Sequence, residues 1–230
     1  MRRWACIVVP VALGLAAVAT FRSREGNLVA ARLPAIAAAL RDAPPDAVLL
    51  AGNSHATLAA RAAPACADWI DAGIAGASAH EYAAGLAELT TEARVRLAVL
   101  LIGTNDIRHG QQPLGAVALT RFRADGERIL DWLQAHARLV VVAAVPPIGE
   151  AATGKRDPGA VGVYSEALRD LCRDRGCRYA DPFTNLRAGP GGLAHPDALV
   201  DGIHLADYPA LLAALDLCPP TVSDRESTRR

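Results

Sequence analysis

Lysine is almost missing from this sequence. Lys155 is the single one, and arginine carries nearly all of the positive charge. Basic and acidic residues balance at 24 each, for a formal net charge of zero. A chain without positive excess lacks the electrostatic footprint of a nucleic-acid binder. Aromatic residues make up only 4%, which argues against a platform for stacking bases or a large aromatic sugar groove. No CxxC pair occurs, so a zinc site built on cysteine has little support. No internal repeat is visible. What is present is a globular composition: 230 residues, 52% of them hydrophobic, enough for one domain with a substantial core.

The first residues read as a targeting signal. Met1-Arg2-Arg3 is basic, an uncharged and mainly apolar run follows from Trp4 to Phe21, and Ala17-Val18-Ala19 has the small-x-small form of a cleavage site. The run is long for a secretory signal and at the short limit for a membrane span. Arg22 and Arg24 weaken the charge asymmetry that would set an orientation. Residues 1–21 are therefore expected to be a cleaved signal peptide or an uncleaved membrane anchor. Both readings put the domain, residues 22–218, outside the cytoplasm. The tail "PPTVSDRESTRR", residues 219–230, has the composition of a disordered segment.

Four cysteines lie beyond the targeting segment: Cys66, Cys172, Cys177 and Cys218. An oxidising compartment would allow two disulfides in three pairings. "CRDRGC" could close a short loop and leave Cys66 with Cys218; all four could equally stay reduced.

Apolar runs alternate with helical spacing along the chain. Helices are expected over Asn27–Leu40, Ser54–Ala63, His80–Ala93, Ala116–Ala137 with Gly126 as a breaker inside, Val163–Arg175 and Asp207–Leu217. Strands are expected at Ala47–Ala51, in "ADWIDAGIAG", in "RLAVLLIG", in "RLVVVAAVPP" and in "CRYAD", with "GEAATGKRDPGAVG" as a loop. Strands that are apolar on both faces and alternate with helices predict a parallel sheet covered on both sides. Ligands in such sheets bind beyond the carboxyl ends of the strands, where strand order reverses.

The loops at those ends hold "GNSHA" (52–56), "GIAG" (73–76) and "GTND" (103–106), and "DGIH" (201–204) precedes the terminal helix. Asn53 and Ser54 are good helix caps, and capping is the plain explanation for one of these blocks taken alone. Together the blocks supply every part that acyl transfer by a serine requires. Ser54 is the candidate nucleophile and His204 the candidate base. Asp201, three residues earlier, is the carboxylate that would fix the tautomer and stabilise the imidazolium. The Ser54 N–H, the Gly76 N–H and the Asn105 amide are the candidate oxyanion hole. Asp106 reads as a residue holding its own loop. His55 either packs at the pocket edge or contacts substrate, and His80, His109, His136 and His195 read as surface or loop histidines.

These four blocks, in this chain order and with D-x-x-H at the end, resemble the SGNH hydrolases, also called the GDSL-type esterase/lipase family. The resemblance runs from about Ala47 to Leu205. It implies a flavodoxin-like three-layer α/β/α sandwich with a central parallel sheet of about five strands. It also implies hydrolysis of esters, thioesters and O-acetyl groups with no metal or cofactor. Asn53 departs from the Asp usual beside the nucleophile, and Asp71 stands where N-x-G is common before the glycine loop. His55 resembles the "GDSH" form of some family members that act on envelope polysaccharides. An α/β-hydrolase would need G-x-S-x-G, whereas position 56 is Ala. The expected function is an exported serine-dependent hydrolase of small, lipid or O-acetyl-glycan esters. An O-acyltransferase of envelope glycan using the same residues, and a catalytically silent binding domain, are the alternatives.

Overall fold

The computed structural model describes residues 28–189 and 191–218. The expected signal or anchor at 1–21 and the tail at 219–230 lie outside the described residues. No described helix is long and apolar enough to cross a membrane.

Eleven regular elements follow the order α1 (28–41), β1 (Val48–Gly52), α2 (Ser54–Arg61), β2 (Trp69–Gly73), α3 (Ala79–Glu88), β3 (Val95–Leu101), α4 (Ala116–His136), β4 (Ala137–Ala143), α5 (Pro158–Arg175), β5 (Arg178–Ala180) and α6 (Tyr208–Leu215). The five strands form one parallel sheet in the order β2-β1-β3-β4-β5. Strand order therefore reverses at β1 and β3, as in flavodoxin-like folds.

Side chains alternate across the pleat, so each strand feeds two cores. Leu49, Ala51, Ala98, Leu100 and Val142 face a core shared with α1, α3, α4 and α5. Val48, Leu50, Val99, Leu101 and Val141 face the other, closed by α2, α6 and Phe183. Both cores are built of buried apolar side chains, which accounts for strands lacking an alternating polar face.

Three element boundaries differ from expectation. Helix α3 ends at Glu88, and its cap Leu89 is already extended, at φ −82° and ψ 113°. The β-branched pair Thr90-Thr91 follows and favours extended chain. Gly126 does not break α4; a Cβ there would stand 2.7 Å from Leu171 Cδ1, so the glycine admits a side chain of α5. Helix α5 begins at Pro158, five residues before the expected start. Asp157 caps it by accepting from Gly159 N–H at 2.8 Å, and Pro158 occupies the first turn, where a missing N–H costs nothing.

The four cysteines are paired as Cys66–Cys218 and Cys172–Cys177, closing separations of 152 and 5 residues. Of the arrangements left open above, the oxidised one with the short "CRDRGC" loop is the one observed.

Candidate active site

The nucleophile block begins with a close approach of backbones. Gly52 has φ +126°, and a Cβ on it would lie 2.0 Å from Leu101 O of the neighbouring strand. Only glycine lets β1 turn there while staying against β3. Asn53 then caps α2, its side chain accepting from His55 N–H at 3.0 Å. The cap is thus Asn53 and not Ser54. Ser54 is the first helical residue, with an N–H among those that no helical carbonyl can reach, beside the positive end of the helix dipole.

The Ser54 hydroxyl is instead engaged by a residue 150 positions away. Ser54 Oγ lies 3.0 Å from His204 Nε2, and His204 Nδ1 lies 2.7 Å from Asp201 Oδ2. The other oxygen, Asp201 Oδ1, accepts from the N–H groups of Ile203 and His204 at 3.0 and 2.8 Å. Partial burial pushes the Asp201 carboxyl up. The N–H donors and the His204 ring outweigh it and hold the group at about 2, so the carboxylate is ionised at neutral pH.

Gly76 and Asn105 follow β2 and β3, the strands on either side of β1. Gly76 turns with φ +84°, with open space where a side chain would stand. Asp71 Oδ1 accepts from Gly73 N–H at 2.9 Å, and Arg32 binds both the Asp71 carboxylate and Gly73 O, pinning the start of this loop. The departure at position 71 therefore serves the glycine loop through an ion pair.

The Asn105 amide has a fixed orientation. Its Oδ1 accepts from Arg108 Nη2 and from Arg156 Nη2, each at 3.0 Å. Its Nδ2 donates to Ala77 O at 3.0 Å, which uses one of the two hydrogens an amide can donate. Arg108 also donates to Gly76 O at 3.3 Å, tying two blocks together. Arg156 does not stand out in the sequence, because its partners Thr104 and Asn105 lie about fifty positions away and are joined to it only by the fold.

One expectation is corrected. Asp106 does not hold its own loop: its Oδ1 accepts from Ala79 N–H at 2.9 Å, at the start of α3. Burial raises the Asp106 carboxyl to about 7, against the bond from Ala79. His55 is buried, with Nδ1 2.9 Å from the Tyr208 hydroxyl. Burial, then the neighbouring His204 and Arg156, lower it to about 3, so its ring is neutral. The ring centroids of His55 and His204 are 5.6 Å apart. His80, His109 and His136 bond Asp125, Thr153 O, and the carbonyls of Trp132 and Thr91, respectively. His195 likewise is not among the groups gathered around Ser54. No group of three or more His, Cys, Asp or Glu side chains that could hold a metal occurs among the described residues.

A serine on a positive helix end, an imidazole on its oxygen and a carboxylate behind the imidazole are the equipment of an acyl hydrolase, on a flavodoxin-like frame. The profile of the GDSL-like Lipase/Acylhydrolase family matches residues 49–208, a span that includes all four blocks. The chain belongs to this family, and with it to the serine esterases. Comparison with curated proteins finds no match. Among solved structures, the chain is similar to a protein of Streptococcus pneumoniae described as a candidate platelet activating factor, with a TM-score of 0.68 and 18% identity, covering 89% of this chain and 97% of that one. It is similar to a GDSL-like lipase of Bacteroides thetaiotaomicron, with a TM-score of 0.66 and 17% identity over 84% of this chain and 96% of that one. It also resembles Axe2, an acetylxylan esterase of Geobacillus stearothermophilus, with a TM-score of 0.56 and 15% identity over 79% and 97%. At these identities the likeness is one of fold.

Proposed function

We propose that the protein is an exported carboxylic ester hydrolase that works through an acyl-enzyme on Ser54. The observation that carries this is the relay Ser54 Oγ–His204 Nε2–Nδ1–Asp201 Oδ2, at 3.0 and 2.7 Å. Ser54 Oγ attacks the acyl carbonyl while His204 Nε2 takes its proton. Asp201 holds the tautomer that presents a free Nε2 and stabilises the imidazolium. The tetrahedral oxyanion sits among the Ser54 N–H, the Gly76 N–H and the Asn105 Nδ2–H. As it collapses, His204 returns the proton to the leaving alcohol. Water then attacks the acyl-enzyme, giving its proton to His204, and the acid departs as Ser54 regains its hydrogen.

Two disulfides support a location outside the cytoplasm, because such bonds persist in oxidising compartments. The basic, apolar start at residues 1–21 supports the same reading as a signal or anchor. The substrate class is an ester of small, lipid or O-acetyl-glycan type. The low aromatic content suits a short acyl group or a flexible chain more than a bulky aromatic ester, and the fold likeness to an acetylxylan esterase supports an O-acetyl sugar among the candidates.

The test pairs fluorophosphonate labelling with turnover of p-nitrophenyl acetate. The folded protein should carry one adduct on Ser54, and Ser54→Ala should abolish both label and turnover while melting as wild type does. Unchanged turnover in that variant would refute the assignment. A screen of acyl chain lengths with acetylated xylan and peptidoglycan then identifies the substrate, and added glycan acceptors separate hydrolysis from acyl transfer.

A further inference from the structure

Residues 149–157 form a strap between the two halves of the site. At one end the strap pairs with the Asn105 loop: His109 N–H donates to Lys155 O at 3.1 Å, and Asp157 N–H donates to Ile107 O at 2.9 Å. At the other end Gly149 N–H donates to Gly202 O at 2.8 Å, inside the turn that joins Asp201 to His204. A Cβ on Gly149 would lie 2.7 Å from Gly202 Cα, so the backbones there touch without side chains between them.

Arg156 is the one long side chain that the strap sends inward. It is 8% exposed. Its Nε donates to Thr104 O at 2.9 Å and its Nη2 to Asn105 Oδ1 at 3.0 Å. Burying a guanidinium is costly unless its donors are satisfied, and these acceptors are neutral, so its charge persists beside the amide.

We infer that Arg156 is a positioning residue for the oxyanion hole: it sets which way the Asn105 amide faces. This rests on the proposed Ser54 mechanism. A flipped amide would turn its NH2 toward two guanidinium groups and its oxygen toward the developing oxyanion, and both contacts are repulsive. With Arg156 in place the oxygen is held inward and one N–H remains for the transition state. The aimed N–H matters most when negative charge appears on the substrate oxygen, so the effect belongs to kcat rather than to ground-state binding.

A double-mutant cycle on the full chain tests this, with p-nitrophenyl acetate as probe and Ser54→Ala as control. The variants are Arg156→Met, Asn105→Ala and both together. A lost oxyanion donor costs roughly 10²–10³ in turnover; Arg156→Met should therefore lower kcat by about ten- to a hundredfold, with KM within about threefold. In the Asn105→Ala background the same change should lower kcat by less than about threefold, because a positioning residue has nothing left to position. Should Arg156→Met fail to fold, Arg156→Lys replaces it, with a smaller kcat loss that again vanishes without Asn105. An equal loss in both backgrounds, or a kcat within about twofold of wild type, overturns the inference. Retained turnover in Ser54→Ala would overturn the Ser54 mechanism and this inference with it, whereas a dead Ser54→Ala beside an additive cycle overturns only the role of Arg156.

Discussion

At the carboxyl ends of the strands, Ser54, Asn105 and the Asp201–His204 turn crowd onto one edge of the sheet. At the amino ends of β3, β4 and β5 lies a wide hollow of about 680 Å³, lined by Arg94, Arg96, Arg138 and Arg178 among others. This hollow carries no converging set of reactive groups. Its arginines hold the fold: Arg96 Nη2 donates to Leu217 O at 2.9 Å and Arg178 Nη2 to Leu215 O at 2.6 Å. These carbonyls lie at and just past the end of α6, where a helix attracts positive charge. At the other pole the chain enters α2 and α3, where Asn53 and Asp106 accept from N–H groups of the first turns. The direction in which the backbone runs separates the two regions.

The sharpest way to break this contrast is to remove one group from each pole. Asn105→Ala should lower turnover by roughly two to three orders of magnitude, as for a lost oxyanion donor. Arg96→Ala should leave turnover within about twofold and lower the melting temperature instead, because only a bond to Leu217 O and one to Asp46 O are lost. Initial rates and a thermal melt read both, and a drop of less than threefold in Asn105→Ala removes that amide from the hole.

A smaller effect is expected from the disulfide that anchors the last residues near Arg96. Cys66→Ser opens a loop of 152 residues and should cost about 2–5 kcal/mol of unfolding free energy in denaturant titration. Cys177→Ser opens a loop of 5 residues and should cost less. The folded fraction of either variant should keep wild-type kcat; a large kcat loss in Cys66→Ser would mean that the two poles are coupled.

The smallest expected effect is a tilt in stability with pH, and two buried groups at the reactive pole pull it in opposite directions. His55 is lowered from 6.5 to about 3 in the fold. The unfolded chain takes up a proton first, so stability from the neutral ring is intact above 6.5 and is lost as pH falls toward 3. Asp106 is raised from 3.8 to about 7. Its protonated form favours the fold, so that contribution is complete below 3.8 and is lost as pH rises through 7. Melting temperatures between pH 4 and pH 8 should therefore fall less on the acid side in His55→Gln than in wild type, and less on the alkaline side in Asp106→Asn. Parallel profiles for the three proteins would show that neither group titrates as described.

Sequence made the sheet and the Ser54–His204–Asp201 set legible because their signals are local. A strand buried on both faces is a continuous apolar run, and a carboxylate three residues before an imidazole can reach it around a single turn. Gly126 and Pro158 depart from local expectation for a related reason. Gly126 matters through Leu171 on another helix, and the local rule for glycine in a helix points the wrong way. Pro158 sits in a stretch with the composition of a loop, although Asp before Pro is itself a helix-start pattern. Arg156 has no local pattern. The bond from Arg156 to Asn105 spans 51 positions, and nothing in "GKRDPG" marks one arginine as buried.

The bond between Cys66 and Cys218 has one more consequence. It encloses Asn105, Asp201 and His204 within a covalent ring and leaves Ser54 on the arm outside. A protease that cuts once anywhere inside the ring, at an exposed site such as Gly110, releases no fragment. The nicked molecule keeps Ser54 tethered to His204, and the cut becomes visible on a gel only after a reducing agent is added.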